Sequence, residues 1–220
     1  AQFLGSIDTP GTAVSVAVTE YPAQTVAFVG DTSGGISVFD VTDPANIVLL
    51  QLLAVDDNDD TSIDAAVWDV EIDDNKILYV AETTGGFTTF DAADPENNML
   101  LDSLDLIVGG TPNPPVTNVE LDGDRAYLAL QNYGLVTVNI ADPANLSNSS
   151  NLTSAIALAQ PFGMARDGDT LYVAQMGNAE EPSGVSVFDV SDPDSPVLGR
   201  KFLLDNLPWL VGAGRGIGIV

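Results

Sequence analysis

The sequence predicts an all-β chain built from repeated four-stranded units, and three observations carry that expectation. First, a ten-residue segment occurs four times, at residues 35–44, 86–95, 134–143 and 184–193. Its clearest copy is Gly184-Val185-Ser186-Val187-Phe188-Asp189-Val190-Ser191-Asp192-Pro193. Second, its opening glycines, Gly35, Gly86, Gly134 and Gly184, recur at intervals of 51, 48 and 50 residues. Third, no stretch of ten or more residues shows the apolar spacing of an amphipathic helix. Four short strands repeated about every 50 residues is the pattern of a β-propeller blade.

The strands can be placed in order by their apolar runs and the Gly, Pro, Asn and Asp residues between them. Residues 2–7 read as a strand, followed by the turn Thr9-Pro10-Gly11. The first blade, 13–54, holds strands at 13–18, 25–29, 36–41 and 47–53. The second, 55–107, holds 66–71, 77–81, 87–92 and 99–106. The third, 108–152, holds 116–121, 126–130 and 135–140, with a weaker fourth strand beyond it at 154–159. The fourth, 153–205, holds 162–166, 170–175, 185–190 and 197–204. Residues 206–220 resemble a further first strand and a further second strand, and no third follows. Residues 1–12 resemble a fourth strand, because Phe3-Leu4-Gly5 matches Val197-Leu198-Gly199.

The expected architecture is therefore four full blades plus an incomplete fifth, shared by the two termini as one β-propeller domain over 1–220. If the termini meet, the ring closes within the chain. If they do not, the chain is part of a larger propeller, or Phe3, Leu4, Ile217 and Ile219 lie on open strand edges that another chain can pair with.

Each part of the ten-residue segment has a mechanical reason. Its glycine permits positive φ in the turn between second and third strands. Its β-branched and aromatic run suits a buried strand. Its Asp-Pro end starts a turn, since Asp accepts backbone N–H bonds and Pro presets φ and ends the ladder. Asp40, Asp91 and Asp189 share one repeat position with Asn139. Paired carboxylates can hydrolyse glycosides, but a residue present in every repeat is better explained by a turn.

Composition narrows the chemistry. The 220 residues are 45% apolar, so a packed core is expected despite 32 Asp+Glu against 6 Lys+Arg. The net charge of −26 repels phosphate backbones and anionic lipid, which argues against nucleic acid as a partner. Such a surface suits a high-salt habitat, or an extracellular setting rich in divalent cations. The chain has neither Cys nor His. Disulfides, thiolate catalysis, a Ser-His-Asp triad and His-ligated metals are thereby excluded. No apolar run reaches the roughly 20 residues of a membrane-spanning helix, so membrane insertion is not expected.

Residues 185–193, followed by Ser195-Pro196-Val197-Leu198-Gly199, resemble the LVIVD repeat family. Leu171-Tyr172-Val173-Ala174, Leu78-Tyr79-Val80-Ala81 and Ala126-Tyr127-Leu128-Ala129 are similar to the strand that precedes this motif. The resemblance spans nearly the whole chain, in four full copies and one partial. It implies a secreted or surface-anchored scaffold or binding module. The third copy departs from the pattern, with Asn139 for Asp and no Pro-Val after the turn.

Three stretches have residue types suited to modification, metal binding or ligand binding. Asn145-Leu146-Ser147, Asn148-Ser149-Ser150 and Asn151-Leu152-Thr153 are three consecutive N-glycosylation sequons; a plain polar loop is the alternative. Asp56, Asn58, Asp60 and Asp64 offer oxygen ligands to calcium, the one cofactor suggested, though the loop lacks the Gly and terminal Glu of an EF-hand. First strands line the channel of a propeller. Trp68, Asp69, Asn118, Phe162, Arg166, Trp209 and Arg215 are thus the mixed polar and aromatic set that can hold a small ligand there.

The function expected is a non-enzymatic structural or protein-interaction module in a cell-surface, filament or adhesive assembly, with a protein partner or self-association. The alternative is a calcium-dependent or small-ligand-binding propeller. A carboxylate- or metal-dependent hydrolase or lyase is less favoured, because histidine is missing.

Overall fold

The computed structural model describes residues 2–55, 66–83, 86–108, 110–152, 158, 160–177 and 182–203. These residues form strands and turns with no helix among them. The sheets are antiparallel meanders in which consecutive strands pair. The first contains β1 (Ala13–Glu20), β2 (Thr25–Asp31), β3 (Gly35–Asp40) and β4 (Val48–Leu53). The second contains β5 (Val67–Ile72), β6 (Ile77–Glu82), β7 (Phe87–Asp91) and β8 (Met99–Leu104). A short hairpin of β9 (Ile107–Val108) and β10 (Thr111–Pro112) follows, with no counterpart in the repeat pattern. The third sheet contains β11 (Val116–Asp122), β12 (Arg125–Leu130), β13 (Gly134–Asn139) and β14 (Ser147–Leu152). The fourth contains β15 (Gln160–Asp167), β16 (Thr170–Met176), β17 (Gly184–Asp189) and β18 (Val197–Leu203).

The chain divides into two compact units, one with the first two sheets and one with the third and fourth. In the first unit the sheets approach through β1, β2 and β5. Alternate residues of β2 and β3 (Val26, Phe28, Ile36, Val38) meet Val67, Val70, Leu78, Val80 and Phe90 in one buried cluster. The approach is closest at Gly30, where a Cβ would stand 2.7 Å from Val67 Cγ1 and 2.6 Å from Ser15 Oγ. Glycine is required there by space. Beyond the cluster, the Tyr21 hydroxyl donates to the Ala92 carbonyl at 2.5 Å. Lys76 Nζ donates to Thr19 Oγ1 at 2.7 Å and stands 5.3 Å from the centre of the Tyr21 ring. Burial, with Asp91 and Asp94 nearby, pushes the Tyr21 phenol up to about 12, so it keeps the proton it donates.

The second unit repeats this plan with other residues. β11 and β12 pack on β15, over a cluster of Tyr127, Ala129, Leu135, Met164, Leu171, Val173 and Phe188. Arg125 grips Asp194 with two parallel bonds, Nε to Oδ1 at 2.7 Å and Nη2 to Oδ2 at 3.0 Å. Arg166 Nη2 lies 3.0 Å from Asp122 Oδ1, whose other oxygen accepts the Tyr127 hydroxyl at 3.3 Å. Lys76, Arg125 and Arg166 are half of the six cations in the chain. Each ties one sheet to its neighbour within a unit.

Middle strands are buried on both faces: Leu78, Tyr79, Val80 and Ala81 of β6, and all of Ala126 to Leu130 in β12. That is why they read as continuous apolar runs and not as alternating ones.

Two expectations are corrected. The strand expected at 2–7 is not formed, and residues 2–9 lie outside any sheet. Gly5 sits against the Pro44 carbonyl and Gly11 against Asp31 and Ser33, so this segment passes from one end of β3 to the other. Both edges of β3 are already paired, with β2 and β4. A passing segment therefore finds no free ladder and is held by a side chain instead. The Asp31 carboxylate accepts the Thr9 hydroxyl at 2.8 Å and the Gly11 N–H at 2.9 Å. Residues 204–220, expected to supply the rest of the fifth blade, lie outside the described residues.

The fourth strand of the third sheet is β14, at Ser147–Leu152, earlier than the expected 154–159. Turn chemistry explains the difference. In every repeat the fourth strand begins five residues after the Asp of Asp-Pro: Asp43 to Val48, Asp94 to Met99, Asp142 to Ser147 and Asp192 to Val197. The same bond closes the turn from Asn46, Asn97 and Ser195 N–H to the carbonyls of Asp43, Asp94 and Asp192, at 2.9–3.0 Å. The turn fixes where the strand starts even when the strand sequence is polar.

Candidate functional site

The acids repeated in every copy have a turn-forming role. Asp40, Asp91, Asp189 and Asn139 each accept, through Oδ1, the backbone N–H two residues on: Thr42, Ala93, Ser191 and Ala141, at 2.9–3.0 Å. A neutral amide oxygen makes this bond as a carboxylate does, which explains why Asn139 is tolerated. The hydroxyl and N–H of Thr42 hold Asp40 below the usual carboxylate range, and Ser191 does the same for Asp189.

The end of each sheet nearest the turn between second and third strands has a different character. The register of each first strand slips once near its start, passing over Val14, Trp68, Thr117 and Phe162. A bulge there turns these side chains out of the regular alternation. Beside each bulge, at or one residue before the end of the second strand, lies the residue facing the opening glycine: Asp31, Glu82, Leu130 and Gln175. All four are buried. Gln175 Nε2 donates to the Pro182 carbonyl at 3.5 Å, and its Oε1 accepts from Ser186 at 3.4 Å.

The residues expected to line a channel are placed unit by unit. Trp68 and Asp69 are adjacent and half-buried on β5, and Asp69 Oδ1 accepts the Val70 N–H at 3.0 Å. In the other unit Asn118 is buried on β11 and Phe162 is half-buried near the start of β15. Arg166 lies four residues further along β15, roughly 13 Å away at the rise of a strand. It is committed there to Asp122 and to the Gly168 carbonyl at 2.9 Å. Trp209 and Arg215 lie outside the described residues.

The calcium candidates Asp56, Asn58, Asp60 and Asp64 also lie outside them, as do Ile217 and Ile219. Among the described residues no three acids cluster as metal ligands. Phe3 and Leu4 are exposed and in no strand. Asn145 is exposed in the turn before β14, and Asn148 and Asn151 are part of that strand.

Sequence reasoning missed the character of the outer strands. Val48, Met99, Leu100, Val197 and Phe202 are each more than half exposed, with Leu49 and Leu52 close behind. They belong to β4, β8 and β18, each the last strand of its sheet. Every outer strand also has a bulge, at Leu50, Leu101, Ser149 and Gly199. Bulges twist an edge and limit uncontrolled pairing. The available signal was an apolar start to the strand just after the first, second and fourth Asp-Pro turns. Pattern alone reads such a start as buried.

Comparison with known proteins agrees with the repeat geometry. The family described as LVIVD repeat matches residues 10–53 and 115–154, which cover the first and third sheets. Those two stretches are LVIVD repeats. No curated protein sequence matches the chain.

Solved structures similar to it share the fold at low identity. The periplasmic gluconolactonase PpgL of Pseudomonas aeruginosa, which is propeller-like, aligns with TM-score 0.62 at 14% identity. That match covers 89% of this chain and 58% of the gluconolactonase. The computationally designed Ika4 protein aligns with TM-score 0.55 at 13% identity, over 86% of this chain and 98% of Ika4. The extracellular domain of a putative one component system from B. thetaiotaomicron aligns with TM-score 0.55 at 13% identity, over 87% of this chain and 22% of that one. At these identities the likeness concerns fold alone.

Proposed function

We propose that the chain is a non-enzymatic extracellular β-propeller module that binds protein, including copies of itself, along its outer strand edges. One observation carries the reading: large apolar side chains stand exposed on the outer strands of three of the four sheets. Edge strands are ordinarily protected by charge or proline, because their free N–H and C=O groups template pairing. Among the described residues β4, β8 and β18 each pair with one strand and also present exposed apolar side chains, the two features used in adding a strand from a partner. The net charge of −26 keeps copies apart until salt or a partner offsets it. The extracellular part rests on that acidic surface, on the LVIVD repeats, and on similarity to an extracellular domain and a periplasmic protein.

Light scattering across a salt series tests this, using the intact chain and a variant with Leu49→Asp, Leu100→Asp and Phe202→Asp. Association at high salt that the variant loses, at unchanged melting temperature, is expected. A chain that is monomeric at every salt concentration and captures no protein at the surface of its own cells would overturn the reading.

A further inference from the structure

We infer that the outer edge of the third sheet, from Asn145 through Asn151, is an acceptor site for N-linked glycan. The repeats provide the comparison. Ser147 pairs with Asn139 as Val48 pairs with Asp40, Met99 with Asp91 and Val197 with Asp189. One place on, Asn148 stands where Leu49, Leu100 and Leu198 stand. The third sheet thus has Ser and Asn where the other three have apolar side chains.

That exchange creates the sequon. Asn46 and Asn97 occupy the same turn position as Asn145, but Val48 and Met99 follow two residues later. Only Asn145 has a hydroxyl residue, Ser147, at that distance, and Asn148 and Asn151 repeat the arrangement with Ser150 and Thr153. Asn145 is exposed in its turn, and among the described residues β14 pairs with β13 alone.

The bulge adds a geometric point. Residues three apart on a regular strand fall on opposite sides of the sheet. Because Ser149 is passed over, Asn148 pairs with Val138 and Asn151 with Val136, two positions on the same side of β13. The backbone register thus sets the two strand sequons opposite β13 positions two residues apart.

Transfer would join an asparagine side-chain nitrogen to the anomeric carbon of a lipid-phosphate-linked saccharide. The bond from that carbon to the phosphate oxygen breaks, the lipid phosphate leaves with the electron pair, and the nitrogen gives up a proton. A glycan there closes the third edge to strand addition while the edges of β4, β8 and β18 stay open.

The inference rests on the extracellular placement proposed above, and its test separates the two. Trypsin releases residues 126–166 as one peptide between Arg125 and Arg166. In protein recovered from its own cells, this peptide is expected to show a carbohydrate mass on at least one of the three asparagines. The Asn145→Gln, Asn148→Gln, Asn151→Gln variant should lose it. A bare peptide in protein collected outside the cell overturns the glycan and leaves the extracellular reading standing. Protein found only inside the cell overturns both.

Discussion

Asp31→Asn isolates the carboxylate that fastens the N-terminal segment to the first sheet. Asp31 Oδ2 accepts the Thr9 hydroxyl at 2.8 Å and the Gly11 N–H at 2.9 Å, and Oδ1 accepts the Ser33 N–H at 2.9 Å. Asparagine keeps only one acceptor oxygen. Its NH₂ group must face either Ser33 or the Thr9 and Gly11 pair, leaving a buried donor unmatched and the surviving bonds neutral. Bonds to a charged group contribute about 1.5–3 kcal/mol and neutral ones about 1, so the expected loss is about 2–3 kcal/mol.

Leu130 occupies the same place in the third sheet, where it is buried, so a sheet of this kind does not itself need an acid there. The loss should fall on the segment. Amide exchange at Gly11 is expected to quicken roughly 30- to 150-fold, while the urea midpoint moves little. Thr9→Ala, which removes one hydroxyl, should cost about 1 kcal/mol. Acidification provides a second axis. Burial opposes ionisation of Asp31, but the donors Ser33, Thr9, Gly11 and Thr12 outweigh it and hold the carboxyl below its ordinary value. A group depressed on folding stabilises fully above its unfolded value, about 3.9, and loses that contribution as pH falls through the lower folded value. Protection of Gly11 should therefore hold from neutral pH to about 4 and weaken below it, and the Asn variant should show no such dependence. Exchange at Gly11 within threefold of wild type in Asp31→Asn would refute the reasoning.

Two further predictions concern how neighbouring sheets are joined within a unit. A double-mutant cycle on Arg125→Ala and Asp194→Ala should give a coupling of about 0.5–1 kcal/mol, since the pair is bidentate but part-exposed. The coupling should shrink in molar salt, and a value of zero at low salt would remove it as a fastening. Gly30→Ala places a methyl group 2.7 Å from Val67 Cγ1. Overpacking of that kind should lower stability by about 1–3 kcal/mol in denaturant unfolding.

The fold was legible because its signals are local. The Gly-to-Asp-Pro segment contains its own turn chemistry, so 35–44, 86–95, 134–143 and 184–193 identified four sheets without knowledge of what packs on them. Gly35, Gly86 and Gly134 adopt the positive φ that glycine permits, at 68°, 89° and 102°. The misplaced fourth strand at 154–159 shows the limit of apolar pattern: in β14 the preceding turn decided the strand and side-chain polarity did not. The N-terminal segment failed for a different reason. Phe3-Leu4-Gly5 resembles an outer strand by sequence, but a strand needs a free ladder, and ladder availability is a tertiary property. For the channel set, sequence places Phe162 and Arg166 on one strand, where they stand at different ends.

Repetition also separates structural residues from the rest inside a single chain. A residue kept at one repeat position in all four copies, such as the Asp40, Asp91, Asn139 and Asp189 set, is answering a demand common to every sheet, and its bonds confirm a turn. A position that changes while the backbone around it stays the same answers a local demand. Asp31 differs from Leu130 because only the first sheet holds the N-terminal segment. Ser147 and Asn148 differ from Val48 and Leu49 although strand start, bulge and pairing are the same. Backbone geometry therefore cannot be the cause of that exchange. We propose that its cause lies in what meets the outer edge of each sheet, an apolar partner at β4, β8 and β18 and a glycan at β14.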